Sequence, residues 1–327
     1  MKLQTLAVAA LALGTGFAIG SWTAGKGARP RATGGLRQGG YRFIHPLLDI
    51  LDTPEFVDLR PEKQINAEVR RMLRLGLATD IAVYFRDLNN GPWYSIAAEK
   101  RFAPASLLKV PILIAVLKQA EGDAGLLQKK LEYLPAGVEE DQTVAAKTPM
   151  RLGRWYTVEE FLRAMIWHSD NKAAFALLTH LDPTVLNRTY TELQISVPDP
   201  KNPDWISTRE MATFFRVLYN ASYLDKTSSE KALELLTRTQ FQNGLAAGVP
   251  SGTTIAHKFG ERRFKDRDDV ELHDCGIVYY PGNPYILCVM SKGSNLGRLA
   301  KAIGNISGSV YREVDRQFQK RRKSGAN

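Results

Sequence analysis

Ser106 and Lys109 stand three residues apart in a strongly apolar run, Ala105 to Gln119. On a helix that spacing puts both side chains on one face, close enough to meet. A serine hydroxyl is a poor nucleophile at neutral pH until a neighbouring base takes its proton. A lysine can serve as that base where burial or adjacent positive charge lowers its pKa, and the apolar run supplies burial. Two more polar clusters follow. Ser169-Asp170-Asn171 lies 63 residues beyond Ser106, and His257-Lys258-Phe259-Gly260 begins the third cluster, with Lys258 89 residues beyond Ser169. Each has a bland reading alone: a helix-capping Ser106 beside a surface lysine, a Ser169/Asp170 cap, a charged strand end before a turn. In this order and at these spacings they are far more specific together than any one is alone.

Elements must bring these distant clusters together. Pro61 to Leu75 carries Ile65, Val69, Met72 and Leu73 at helical spacing. Ile81–Leu88 and Trp93–Ala97 read as strands around the turn Asn89-Asn90-Gly91. Ala105–Gln119 reads as a buried helix, with Pro111 tolerated only near its start. Thr157 and Glu160 form a capping box opening a helix over Val158–Trp167. Ala173–Leu181, Arg209–Leu218 and Ser229–Thr239 read as further helices. Thr253–Phe259 is strand-like. Cys275–Tyr280 and Tyr285–Met290 read as a hairpin around Pro281-Gly282-Asn283-Pro284, and a last helix starts near Leu296. Strands at both ends with helices between predict an α/β fold: one antiparallel sheet closed by distant segments and flanked by helices, with an all-helical domain inserted. The four-residue hairpin loop places Ile277 opposite Cys288. Cys275 and Cys288 are then diagonal neighbours, about 7–8 Å apart, which favours two buried thiols over a bridge.

The order S-x-x-K, S-D-N, K-x-G resembles the pattern of the class A β-lactamase and penicillin-binding-protein superfamily, in its β-lactamase-like serine hydrolase branch. The resemblance runs from about Tyr41 to Lys320. Phe102-Ala103-Pro104-Ala105-Ser106, Asn243-Gly244-Leu245 and Cys275 to Pro281 add to it. It implies Ser106 as the acylated nucleophile and Lys109 as its base or part of a relay to one. It implies Ser169 as proton donor to the leaving nitrogen, and Lys258 as a cation beside Ser169 that attracts a substrate carboxylate. Asn171 would orient Lys109 and bind a substrate amide. The backbone N–H groups of Ser106 and Glu261 would form the oxyanion hole, with Gly260 allowing close approach. No metal or cofactor is implied.

The departures are as informative. The family's E-x-x-L-N loop, whose Glu activates the deacylating water, has no counterpart between Gln194 and Trp205. Asp199 and Asp204 are the only carboxylates there, and both read as turn formers. Phe259 stands where the family usually has a hydroxyl, and Cys275 precedes Gly276 where an Arg often stands. An acyl-enzyme that forms faster than it breaks down is the expected consequence. The substrates implied are β-lactams or peptidoglycan-like peptides. Rival readings are a carboxypeptidase or esterase that never meets β-lactams, and a wall-binding protein without turnover. His168 and His257 read as packing or edge residues. Trp155 and Tyr156 read as core, cap or cleft wall.

The formal charge of the 327 residues is +10. Residues 1–42 hold six basic and no acidic residues, 311–327 carry a net +4, and the body between is neutral. A neutral body argues against nucleic-acid binding, which needs basic charge on a folded face. Lys2 and the apolar run Leu6–Ile19 read as a signal peptide or a membrane anchor over 1–24. Five basic residues follow that run and only Lys2 precedes it, opposite to the bias expected for an exported body. Residues 25–40 read as a flexible basic linker. The catalytic domain is expected over 41–323, with its sheet part at 41–104 and 240–323 and its helical part at 105–239, leaving a tail at 324–327. The chain is expected to be exported to the cell envelope and monomeric.

Overall fold

The computed structural model describes residues 33–52, 61–89, 91–134, 149–180, 182–199, 201–264 and 268–324. The expected signal or anchor lies outside them. Among the described residues no helix is long and apolar enough to cross a membrane.

The chain opens with β1 (Thr33–Arg37) and β2 (Leu47–Asp52), an antiparallel pair. Helix α1 (Glu62–Arg74) follows, then β3 (Asp80–Asp87), β4 (Trp93–Ile96) and the short β5 (Arg101–Phe102). A 3-10 turn, Ala105–Leu108, leads into α2 (Lys109–Gly122). Strands β6 (Lys130–Glu132) and β7 (Trp155–Thr157) pair ahead of three helices: α3 (Val158–Trp167), α4 (Asn171–His180) and α5 (Pro183–Glu192). Then come β8 (Ile206–Ser207), α6 (Thr208–Tyr219) and α7 (Lys226–Leu236). The chain closes with β9 (Ile255–Arg263), β10 (Val270–Val278), β11 (Tyr285–Gly293) and α8 (Leu296–Ser324).

The main sheet is antiparallel throughout, in the order β4-β3-β11-β10-β9, so the last three strands are inserted beside the first two. The helical block α2–α7 sits between the two sets in sequence. This is the α/β architecture expected from the sequence. Side chains alternate across a strand, so each face meets a different layer. Val83, Phe85, Leu287 and Val289 share a core with Ile65, Val69 and Met72 of α1 and Ile303, Ile306 and Val310 of α8. Ala82, Tyr84, Ile286, Cys288 and Met290 share the other core with α2 and the helical block. Helix α2 is buried along Lys109–Leu117. Pro111 is its third residue, where the missing N–H has no intrahelical partner to lose. The Thr157–Glu160 capping box opens α3 as its spacing requires.

Four expectations need correction. Residues 33–37, inside the expected linker, form β1; Arg37 donates to His45 O and Asn220 Oδ1 and to Leu88 O, which ties this segment to the body. The last helix runs to Ser324 and so takes in the first residue of the tail expected at 324–327. The β10–β11 hairpin pairs Val278 with Tyr285, so its loop is residues 279–284. Tyr279 N–H donates to Thr254 O and Tyr280 N–H to Val278 O, which takes both tyrosines out of the ladder. That shift of register puts Cys275 directly opposite Cys288, and the two are disulfide-bonded rather than free thiols.

Candidate active site

Three elements converge at the mouth between sheet and helical block. The first is the turn carrying Ser106. Ala105 takes a left-handed φ of 48°, and the 3-10 turn then hands over to α2 at Lys109. The three-residue spacing performs as elementary geometry requires: Lys109 Nζ lies 2.8 Å from Ser106 Oγ. Ser106 is half-buried, whereas Lys109 is 4% exposed.

The second element is the junction of α3 and α4. Ser169 is also left-handed, at φ 60°. Asp170 does the capping: its Oδ1 accepts Ala173 N–H at 2.9 Å, and its Oδ2 accepts the Tyr133 hydroxyl at 2.9 Å. Capping therefore holds only the middle of the motif, which leaves Ser169 and Asn171 free to turn toward Lys109. Lys109 Nζ lies 2.6 Å from Ser169 O, 2.6 Å from Asn171 Oδ1 and 3.1 Å from Ser169 Oγ.

The third element is the edge strand β9. Lys258 is fully buried and donates to Ser169 Oγ at 2.9 Å and to its neighbour's carbonyl, Phe259 O, at 2.9 Å. Its ammonium group sits 4.1 Å from the centre of the Phe259 ring, which stacks on Phe241. Gly260 is obligatory: a Cβ there would lie 2.6 Å from Pro104 O and 3.2 Å from Ser106 N. That approach brings β9 against the nucleophile turn. Glu261, half-buried, follows on the same strand.

Burial pushes the Lys109 amine down to about 7, only partly offset by the negative charges of Asp170 and Glu261. Burial also holds Lys258 well below its ordinary value, reinforced by the charge of Lys109 and opposed by Asp274 and Glu261. A neutral Lys109 has two N–H groups and one lone pair. Asn171 Oδ1 and Ser169 O match the two donors, leaving the lone pair for the Ser106 O–H. The cluster can thus take a proton from Ser106 and pass it toward Ser169, whose hydroxyl lies within reach of both lysines.

Ser106, Lys109, Ser169, Asn171 and Lys258 form one hydrogen-bonded network, with Gly260 in contact with its turn. The remaining expectations resolve differently. His257 is buried, with Nδ1 2.8 Å from Asp274 Oδ1. Tyr156 packs edge-on to Tyr133 and Phe161, while Trp155 is 62% exposed. Asp199 accepts Lys201 N–H within its own turn, and Glu192 on α5 accepts the Tyr223 hydroxyl. Among the described residues, Ser106 Oγ is held by Lys109 and by no carboxylate. Tyr133, the anchor of Asp170, was not legible from the sequence, because nothing local relates it to a loop 37 residues away.

A sequence model of the beta-lactamase enzyme family matches residues 60–314. The beta-lactamase CTX-M-25 of Escherichia coli is 28% identical over 192 residues, 54% of this chain and 64% of that enzyme. The chain thus matches just under two thirds of that relative's length. A beta-lactamase of Streptomyces lavendulae is 26% identical over 246 residues, 69% of this chain and 78% of its own length. Among solved structures, a PBP-A mutant in acyl-enzyme complex with penicillin G superposes with a TM-score of 0.65 at 25% identity, covering 78% of this chain and 97% of that one. A variant of the extended-spectrum beta-lactamase TLA-1 shares the fold, with a TM-score of 0.68 at 18% identity over 78% and 99% of the two chains.

Proposed function

The chain belongs to the beta-lactamase enzyme family, and from that premise we propose that it is a serine hydrolase acylated at Ser106 by β-lactams or related cell-wall peptide amides, and slow to deacylate. The observation that carries this reading is the Lys109 amine, brought to about 7 by burial and set 2.8 Å from Ser106 Oγ. A base poised near neutrality is the most effective proton acceptor at neutral pH. In this mechanism Lys109 takes the Ser106 proton as Oγ attacks the carbonyl carbon. The carbonyl oxygen, gaining negative charge, is received by the N–H groups of Ser106 and Glu261, donors fixed in place before reaction. Ser169, between Lys109 and Lys258, gives a proton to the departing nitrogen, and its own is replaced from the lysine pair. Asn171 holds the Lys109 amine in line and offers its side chain to the substrate amide.

Slow release is supported by the lack of an E-x-x-L-N loop and by what the nearby carboxylates do instead. Glu210 caps α6 and is held by Ser196 and Ser207; Asp199 is spent on its own turn. Neither is available to activate a water on the acyl-enzyme. The PBP-A mutant was captured as an acyl-enzyme with penicillin G, which supports acylation by a β-lactam. A fluorescent penicillin is expected to label the wild-type protein at Ser106 and to persist for minutes or longer. Rapid multiple turnover of a chromogenic cephalosporin would overturn slow deacylation. A second reading, a carboxypeptidase or esterase that does not take β-lactams, is favoured by one feature: Phe259 offers no hydroxyl for a substrate carboxylate. Cleavage of an active ester without any penicillin label would select it.

We infer that the enzyme works outside the cytoplasm. Support comes from the apolar run after Lys2 and from the Cys275–Cys288 disulfide, a bond that persists in oxidising compartments. Protease accessibility on intact cells tests the placement.

A further inference from the structure

We propose that Glu271 and His273 are positioning residues for the nucleophile: a buried clamp on β10 that grips both backbone polar groups of Ala103 and thereby fixes where Ser106 stands. The inference rests on the reading of Ser106 as the acylated residue.

Strand β5 ends at Phe102, so Ala103 has left the sheet, yet it is fully buried. Buried backbone N–H and C=O groups must find partners. Here both partners are side chains of one strand. Ala103 N–H donates to Glu271 Oε2 at 3.0 Å, and His273 Nε2–H donates to Ala103 O at 2.9 Å. The His273 ring is fixed in turn. Its Nδ1 accepts Ser291 N–H at 3.3 Å, which sets the Nε2–H tautomer, and its edge meets the Phe102 ring with centroids 5.4 Å apart. Glu271 Oε2 lies 3.5 Å from His273 Nε2, so the two grips brace each other. Glu271 is 1% exposed and His273 fully buried.

Two ionisable side chains buried against one alanine are costly in solvation, and a plain fold has no need of them there. The need lies two residues on. Ala105 must be held left-handed, a conformation that persists only when its surroundings over-determine it. The clamp fixes the chain on one side of Ala105. On the other side Gly260, which pairs with His273 in the β9–β10 register, lets β9 press on Pro104 and Ser106. Together they set the Ser106 N–H that receives the oxyanion and the Oγ that faces Lys109. A displacement of about 1 Å at a reacting group costs on the order of 100-fold in rate.

The test compares His273→Leu and Glu271→Leu, which remove one grip each, with His273→Gln and Glu271→Gln, which keep a donor and an acceptor. Ile306→Ala in the opposite core serves as a control for destabilisation alone. Acylation by a fluorescent penicillin is timed, its non-covalent affinity is fitted separately, and amide hydrogen exchange is followed over residues 102–108. Each leucine variant is expected to acylate about 30-fold more slowly, with affinity within about threefold and faster exchange over 102–108. The glutamine variants should recover to within about threefold, and Ile306→Ala should acylate normally. Leucine variants that acylate like Ile306→Ala overturn the clamp. A wild-type protein that takes no label overturns the acylation reading instead. Exchange then decides the clamp: faster exchange in the leucine variants than in the control upholds it, and equal exchange overturns it.

Discussion

The two faces of the central sheet are built to different rules. The face toward α1 and α8 is aliphatic and aromatic from Val83 and Phe85 through Leu272, Leu287 and Val289 to Ile303 and Ile306, apart from the buried His257–Asp274 pair toward its β9 edge. The face toward the helical block is apolar over β3 and β11 but carries Lys258, Glu271 and His273 near the β9 edge, all buried. Burying apolar surface is favourable at any orientation; burying a polar group is costly unless each of its hydrogen bonds is made. The partners of these polar residues include Ser169, Phe259 O and the backbone of Ala103, which are parts of the site or of the turn leading to Ser106. One face holds the fold together, and the other converts that rigidity into placement of a few atoms.

If this division is right, changes on the two faces separate rate from stability. The largest expected effect is Ser106→Ala. Acylation should fall at least about 1,000-fold, equivalent to roughly 4 kcal/mol of barrier, with the melting temperature nearly unchanged. Stopped-flow labelling and calorimetry read the two quantities, and a large drop in melting temperature would blur the division. On the opposite face, Ile306→Ala should cost about 2–5 kcal/mol of stability in urea titration while leaving the acylation rate within about twofold. A milder effect should come from pH. Lys109 acts only as the neutral amine, and its pKa is lowered to about 7. Acylation should therefore rise about tenfold per unit below that pH and level off above it. A profile flat from about pH 5.5 to 8.5 would remove Lys109 from the role of base. The smallest effect should be Thr157→Ala, which removes the cap of α3 far from the reacting atoms. It should cost about 1 kcal/mol of stability and nothing in rate.

The same contrast explains what was legible in the sequence. The apolar core announces itself by pattern: Ile65, Val69 and Met72 mark α1 by period, and the short apolar run Ile81–Phe85 marks β3. The capping box gave α3 its start to the residue. The five residues of the network around Lys109 and Ser169 were legible because their types and spacings are sparse and chemically coherent. What stayed hidden was non-local or polar. Strand β10 begins at Val270, yet Glu271, His273 and Asp274 fall outside the strand expected from Cys275, because their partners lie far away in sequence. Helix α5 carries a local signal of its own: Asp182 caps it and Pro183 is its first residue. A two-residue slip in the hairpin hides the disulfide, since Tyr279 and Tyr280 have strand-like side chains but belong to the turn.

The central claim is that the buried lysine network makes Ser106 the group that bonds to substrate. Mass spectrometry of the intact wild-type protein after incubation with benzylpenicillin, followed by peptide mapping, tests it most directly. The account predicts one added penicillin mass, carried by the peptide containing Ser106, absent from Ser106→Ala and still present minutes after excess drug is removed. An adduct on another residue, or one that survives in Ser106→Ala, would contradict it.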